Sequence, residues 1–279
     1  RSDTPVDKIR RNERMSAMMK ILAAKPNRIF TLSYFCDLFG SAKSTMSEDI
    51  DILRDVVAHF GLGELETVTG AAGGVRYRTK VRRPEARKFI GDLCQQLSEE
   101  GRVLPGGFLY YSDILSTPEI VTRMGEIMAT EYYAAAPDFV LTMETKGIPV
   151  AFATANALGV PLVIARRSSK VYEGSAVNIN YVSGSSGHIE TMSLSRRAVQ
   201  EGQKCLIVDD FLKGGGTAKG MVDLMREFNV DVVGMTFVMS TAKPVKKRVM
   251  GEKSLMVMDI DQEHETVLVK PAFWLNGDA

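Results

Sequence analysis

Asp209 and Asp210 follow the apolar run Cys205-Leu206-Ile207-Val208 and precede Phe211-Leu212-Lys213-Gly214-Gly215-Gly216-Thr217. The apolar run predicts a buried strand ending at Asp209. Met221, Leu224, Met225 and Phe228 fall at helical spacing, which predicts a helix directly after the glycines. Without Cβ atoms, the glycines let backbone N–H groups converge, and Thr217 is the expected cap of the helix. Unpaired amides and the positive helix end together attract a phosphate. The two carboxylates stand on the strand side, able to accept hydrogen bonds from ribose hydroxyls. A ribose carrying a 5'-phosphate needs both features. An ordinary strand-to-helix turn with solvated acids would account for the glycines alone. A Walker P-loop is excluded, because no Gly-x-x-x-x-Gly-Lys-Ser/Thr occurs.

The order Asp-Asp-x-x-x-x-Gly-Gly-Thr after a hydrophobic strand resembles the phosphoribosyl pyrophosphate (PRPP) motif of type I phosphoribosyltransferases. Asp-Asp-Phe-Leu at 209–212 is most similar to the xanthine-specific branch. A second segment, Met143-Glu144-Thr145-Lys146-Gly147, follows the predicted strand 139–143 and precedes a helix beginning near Ile148. By itself it reads as a solvated loop. Its Glu-x-Lys-Gly form resembles the pyrophosphate loop of the same enzymes, which implies that Lys146 supplies charge and Gly147 a close approach. The resemblance thus marks Glu144, Thr145, Lys146, Gly147 and residues 209–217 as effector ligands, with Mg2+ entering only as the companion of PRPP.

Catalysis is not expected. Lys213 occupies the place where the resemblance to 6-oxopurine enzymes calls for an aspartate, and lysine is a poor general base unless strongly desolvated. The polar stretch between Arg166 and Ser195, with Ser168, Ser169, Lys170 and Ser183-Gly184-Ser185-Ser186-Gly187, matches the mobile loop of those enzymes in position. It also reads as a β-hairpin with a flexible tip, and it lacks a clear acid-base pair.

The elements that must carry these groups follow from composition and periodicity. The chain has 279 residues, 45% hydrophobic, enough for two domains. Cys36, Cys94 and Cys205 are scattered in apolar segments and read as reduced core thiols. His59, His188 and His264 carry no metal-ligand spacing. No apolar run approaches membrane-spanning length, and the charged start is no signal peptide, so a cytoplasmic protein without membrane contact is expected. Residues 1–83 hold 15 Lys and Arg against 10 Asp and Glu, a balance of +5, and the remainder carries −4. A basic front fits a polyanionic partner.

That front reads as a helix over 6–24, a short helix opened by Thr31 or Ser33 and ended by Gly40, and a third helix capped by Ser41. Met46, Ile50, Leu53, Val57 and Phe60 form the third helix's inward face. Two strands, 65–69 and 75–81, joined by Gly70-Ala71-Ala72-Gly73-Gly74, complete a winged helix-turn-helix. Lys43, Ser44, Thr45 and Ser47 open the reading helix. Arg10 and Arg11 lie at the first helix, and Arg76, Arg78 and Lys80 alternate along the wing. These are the expected DNA contacts. Glu48, Asp49, Asp51 and Asp55 confine contact to the first turn, and a protein-binding role for the same unit stays open.

Beyond Arg82-Arg83-Pro84, a helix serves either as linker or as the first element of the back domain. Strands near 139–143, 161–165, 205–209, 230–239 and 255–260 alternate with helices. The fold class is therefore α/β, a mostly parallel sheet flanked by helices behind a winged helix, with domains 1–80 and 81–279. Over essentially the whole chain this arrangement resembles the purine operon repressor family of Gram-positive bacteria. The resemblance implies a homodimer on the double-stranded operator DNA of purine genes, with PRPP weakening repression and purine nucleotides competing for its pocket. An active purine phosphoribosyltransferase with an added DNA-binding module is the alternative.

Overall fold

The computed structural model describes residues 9–70, 73–99, 101–104, 108–168, 174–183, 187–261 and 266–276. The chain divides into two compact units, the first Arg1–Val81 with Ala157–Gly159 and the second Arg82–Asn156 with Val160–Ala279.

In the first unit α1 (Arg11–Ala24), α2 (Leu32–Phe39) and α3 (Lys43–His59) precede the antiparallel pair β1 (Glu64–Val68) and β2 (Gly74–Arg78). Met18, Leu22, Phe35, Phe39, Met46, Ile50, Leu53 and Val57 join Leu65 and Val75 in one buried cluster. Thr31 opens α2 as expected, its hydroxyl accepting from Tyr34 N at 3.1 Å, and Gly40 closes it in the left-handed region. Four local expectations are corrected. Ala42, not Ser41, stands at the cap of α3, because the Ser41 hydroxyl donates instead to Phe39 O. Phe60 is 67% exposed, since α3 ends one residue before it. The second wing strand ends at Arg78 rather than 81. The first helix, expected from residue 6, begins at Arg11, because Arg10 is extended and its N–H bonds to Glu13; residues 6–8 lie outside the described residues.

α1 and α3 are joined by a buried ion pair. Asp49 is fully buried, and its Oδ2 accepts from Arg14 at 2.9 Å. Arg11 Nε lies 3.0 Å from Oδ1, an ion contact whose angle falls short of a hydrogen bond. Thus one of the acids following the reading-helix start points inward.

The second unit opens with α4 (Arg83–Leu97), which packs on the far edge of the sheet and is therefore no free linker. A two-strand pair, β3 (Val103–Leu104) and β4 (Phe108–Leu109), leads to α5 (Ser112–Ser116) and α6 (Pro118–Tyr132). Then follow β5 (Phe139–Met143), α7 (Ile148–Leu158), β6 (Leu162–Ala165), the hairpin β7 (Ala176–Val182) and β8 (Ile189–Ser195), and β9 (Lys204–Leu212). The chain ends with α8 (Gly216–Glu227), β10 (Asp231–Thr241), β11 (Lys253–Asp261) and β12 (Thr266–Pro271).

The main sheet has the order β12-β11-β10-β9-β5-β6, parallel except for β12. Phe139, Leu141, Cys205, Ile207 and Phe237 are buried in one cluster with Met221, Leu224 and Met225 of α8 and Tyr181 and Met192 of the hairpin. The intervening Val140, Leu206 and Val208 are also fully buried. Both faces are covered, as the unbroken apolar strands require. Because the chain passes from β6 back to the other side of β5, the order reverses between β5 and β9. Ligands bind such sheets at that reversal, outside the carboxyl ends of the strands.

Removing Arg14 leaves Asp49 buried with only the oblique Arg11 contact. Arg14→Met is expected to cost about 3 kcal/mol in urea unfolding, and Arg14→Met with Asp49→Leu to recover most of it. A single-variant loss below ~1 kcal/mol would show that the pair does not support the helix packing.

Candidate functional site

β5 and β9 pair only over Phe139–Leu141 and Cys205–Ile207. Beyond those residues β5 stays with β6 through Met143 and Ala165, while β9 stays with β10 as far as Leu212 and Ser240. The two strands therefore separate just before the groups that matter, opening a crevice at their carboxyl ends. The strand expected to stop at Asp209 runs three residues further, because β10 continues to pair with it. Asp209 and Asp210 are thus held on a paired strand, not on a loose loop. Lys213, Gly214 and Gly215 alone make the turn, with Lys213 exposed.

The helix cap is likewise corrected. Gly215, at φ 79°, precedes the first residue of α8, and Thr217 sits one position inside the helix. A left-handed cap suits glycine and needs no hydroxyl. The turn is braced from outside, where Arg248 N donates to Gly214 O at 3.0 Å. α8 therefore begins directly after the carboxyl end of β9, and the first amides of a helix lack partners within it, the arrangement that attracts an anion.

The loop after β5 meets the acids directly. A Cβ on Gly147 would lie 2.1 Å from Asp209 Oδ1 and 2.6 Å from Thr142 Oγ1, so only glycine fits. Asp209 is 7% exposed, and its Oδ1 accepts from Asp210 N at 2.9 Å. Burial pushes its carboxyl well above the ordinary value of 3.8, and the neighbouring Asp210 adds to the rise. Thr142 Oγ1 beside it is buried without a hydrogen-bond partner. Glu144 turns away from the acids: its carboxylate accepts from Arg167 N at 2.8 Å and lies 3.7 Å from Arg166. Thr145 and Lys146 are exposed, and Lys146 Nζ stands 5.1 Å from the centre of the Tyr111 ring.

Sequence reasoning missed Tyr111 and Thr142. Tyr111 is 8% exposed, stacks on Phe211 at 6.2 Å between centroids, and donates its hydroxyl to Asp210 Oδ2 at 2.6 Å. Nothing in the local pattern around 108–111 signals a contact 99 residues away. Thr142 was legible only as a member of a strand.

The polar stretch 166–195 contains the β7–β8 hairpin, whose Tyr181 packs against Gly220 of α8. Its expected tip at 184–186 and Ser169-Lys170 lie outside the described residues. Among the described residues no three His, Cys, Asp or Glu side chains gather as a metal site.

In the first unit, Lys43, Ser44 and Ser47 are exposed on one side of the start of α3, with Thr45 half-buried. Of the other expected contacts, all but the exposed Arg10 are engaged within the unit through their side chains. Arg11 pairs with Glu48 at 2.8 Å, and Arg10 N bonds to Glu13 at the start of α1. On the wing, Arg76 and Arg78 both pair with Glu66 at 2.8 Å, and Lys80 pairs with Glu64 at 3.2 Å. The hydrogen bond from Arg76, with Arg78 beside it, holds the Glu66 carboxyl below its ordinary value.

The family described as "Bacterial purine repressor, N-terminal" matches residues 10–79, and "Phosphoribosyl transferase domain" matches residues 111–272. The chain is 43% identical to the "Probable purine biosynthesis transcriptional regulator PurR" of Streptococcus pneumoniae, over 94% of this chain and 96% of that protein. It is 44% identical to the "Purine biosynthesis transcriptional repressor PurR" of Bacillus subtilis, over 88% and 86%. The fold is also that of an adenine phosphoribosyltransferase from Thermoanaerobacter pseudethanolicus, with a TM-score of 0.52, 22% identity, and coverage of 60% of this chain and 98% of that one.

Asp209 carries a pH signature of its own. With its folded value raised, its contribution to stability is fully present below about 3.8 and is lost as pH rises toward the folded value. Asp209→Asn removes that loss. The variant is expected to melt higher than the parent at pH 7.5, with the gap closing as pH falls toward 4. A gap that is absent at pH 7.5, or widens on acidification, would mean Asp209 is not a desolvated acid.

Proposed function

Because this chain belongs to the purine repressor family, we propose that its back unit binds PRPP without turnover and that the bound ligand weakens operator binding by the winged helix. The single observation that supports this most is the crevice where β5 and β9 part. There the α8 amides behind Gly214–Gly216 and the carboxylates of Asp209 and Asp210 come together, with the Glu144–Gly147 loop against them. The amides take the 5'-phosphate and the acids take ribose hydroxyls. Lys146 and the Thr145–Gly147 backbone take the diphosphate. Phe211, Leu212 and Lys213 frame the turn between them.

Hard oxygen donors suit magnesium, and a magnesium ion fits here as a cation brought in on the diphosphate oxygens rather than held by a protein cluster. Purine nucleotides with a 5'-phosphate or diphosphate would compete for the same cradle. Handling of a base proton is not part of this reading, because the exposed residue at 213 is an amine and not a carboxylate.

At the front, a homodimer would set two reading helices on purine operator DNA, with Lys43, Ser44, Thr45 and Ser47 at bases and phosphates of the major groove. Arg10, Arg11, Arg76, Arg78 and Lys80 would meet the backbone, and all but Arg10 would share their charge with the acids that hold them. The coupling requires PRPP to bind the free and DNA-bound forms with different affinity.

A gel shift on purine operator DNA with and without magnesium PRPP tests the effector reading. The parent protein is expected to release DNA, and Asp209→Asn with Asp210→Asn to hold DNA without responding. Release of that double variant by PRPP would remove the acids from the account. The wing offers a second test. Glu66→Gln removes the acid that pairs with both Arg76 and Arg78, so operator affinity should rise about two- to fivefold with a salt slope steeper by roughly 1. An unchanged slope would take Arg76 and Arg78 off the DNA.

A further inference from the structure

The crevice holds one polar contact that neither ligand loop explains. Tyr111 comes from the short segment between β4 and α5, is 8% exposed, and donates a 2.6 Å hydrogen bond to Asp210 Oδ2. Its ring lies against Phe211 on one side, and Lys146 Nζ stands over it. Asp210 is the less buried of the two acids, and thus the one a ligand reaches first.

From this geometry we infer that Tyr111 is a positioning residue that occupies a ribose-hydroxyl acceptor of the free protein and so sets the ligand concentration at which the site fills. The inference rests on the proposed ribose phosphate site. A sugar diol donates two hydrogen bonds and engages both oxygens of a carboxylate. In the free protein one of those oxygens already accepts from the phenol. Burial and the two carboxylates make ionisation of that phenol unfavourable, so it remains a donor across the physiological range.

The phenol therefore acts as an internal stand-in for one sugar hydroxyl. A ligand hydroxyl that takes the lone pair now facing the phenol displaces this contact, whereas a diphosphate without sugar does not touch it. The cost falls on ribose recognition alone. It raises the concentration at which the sugar ligand fills the site and leaves sugar-free anions unaffected. Because hydrogen bonds to charged acceptors are among the stronger ones, the toll is large enough to measure.

Tyr111→Phe removes the hydroxyl and keeps the ring on Phe211 and beneath Lys146. Titration calorimetry with magnesium PRPP and, separately, with magnesium pyrophosphate reads the difference. PRPP is expected to bind the variant about tenfold more tightly, equivalent to ~1.4 kcal/mol, with pyrophosphate affinity unchanged within twofold. Unchanged or weaker PRPP binding by the variant overturns the inference, as does equal tightening for pyrophosphate, which would mean a generally loosened site. If the parent protein binds no PRPP at all, the ribose phosphate reading fails instead. Retained pyrophosphate binding by the variant also shows that its site is folded.

Discussion

The contact on which the back unit turns is the one between Gly147 and Asp209. A carboxylate with almost no exposure sits where a side chain on residue 147 would have to be. Strand β9 brings the acid, the loop after β5 brings the glycine, and neither loop can move without the other. Burying a carboxyl in this way is unfavourable, as its raised pKa records. Sites that handle ligands are where such costs are concentrated. The unpartnered hydroxyl of Thr142 in the same corner belongs to the same pattern.

From that contact the rest of the architecture follows. The sheet reverses order between β5 and β9, so their ends separate. The α8 N-terminus follows the end of β9 at that separation, and Arg248 N holds the glycine turn through Gly214 O. A phosphate and a sugar diol are bound by different physics, amide dipoles for one and carboxylate acceptors for the other. Here both kinds of group are brought to one crevice. In the front unit the analogous economy concerns charge. Nearly every expected DNA-contacting arginine is already paired, so binding would exchange internal ion pairs for phosphate contacts rather than add bare charge.

Much of this was legible in the amino-acid order because local rules dominate it. β5 was readable as 139–143 from five apolar residues, and α3 from its repeating inward face, since burial on one side leaves a period in the chain. The errors lie where a neighbour in space decided. β9 continues past Asp209 because β10 offers it partners. Ser41 gave up the cap because Phe39 O accepts its hydroxyl. The wing arginines read as free because their partners, Glu64 and Glu66, lie on the opposing strand. Tyr111 was invisible for the same reason in stronger form: its partner is remote, and an apolar run with a tyrosine at its end has no periodic signature.

Amide hydrogen exchange with and without magnesium PRPP tests the central claim most directly, because the claim is about which backbone groups face the ligand. The account predicts slowed exchange at two separate segments together, Lys213–Ala218 and Thr145–Ile148, while Gly202 and Asn229, at the amino-terminal ends of β9 and β10, are unchanged. PRPP binding that leaves both crevice segments unprotected, or protects neither more than those distant turns, would contradict it.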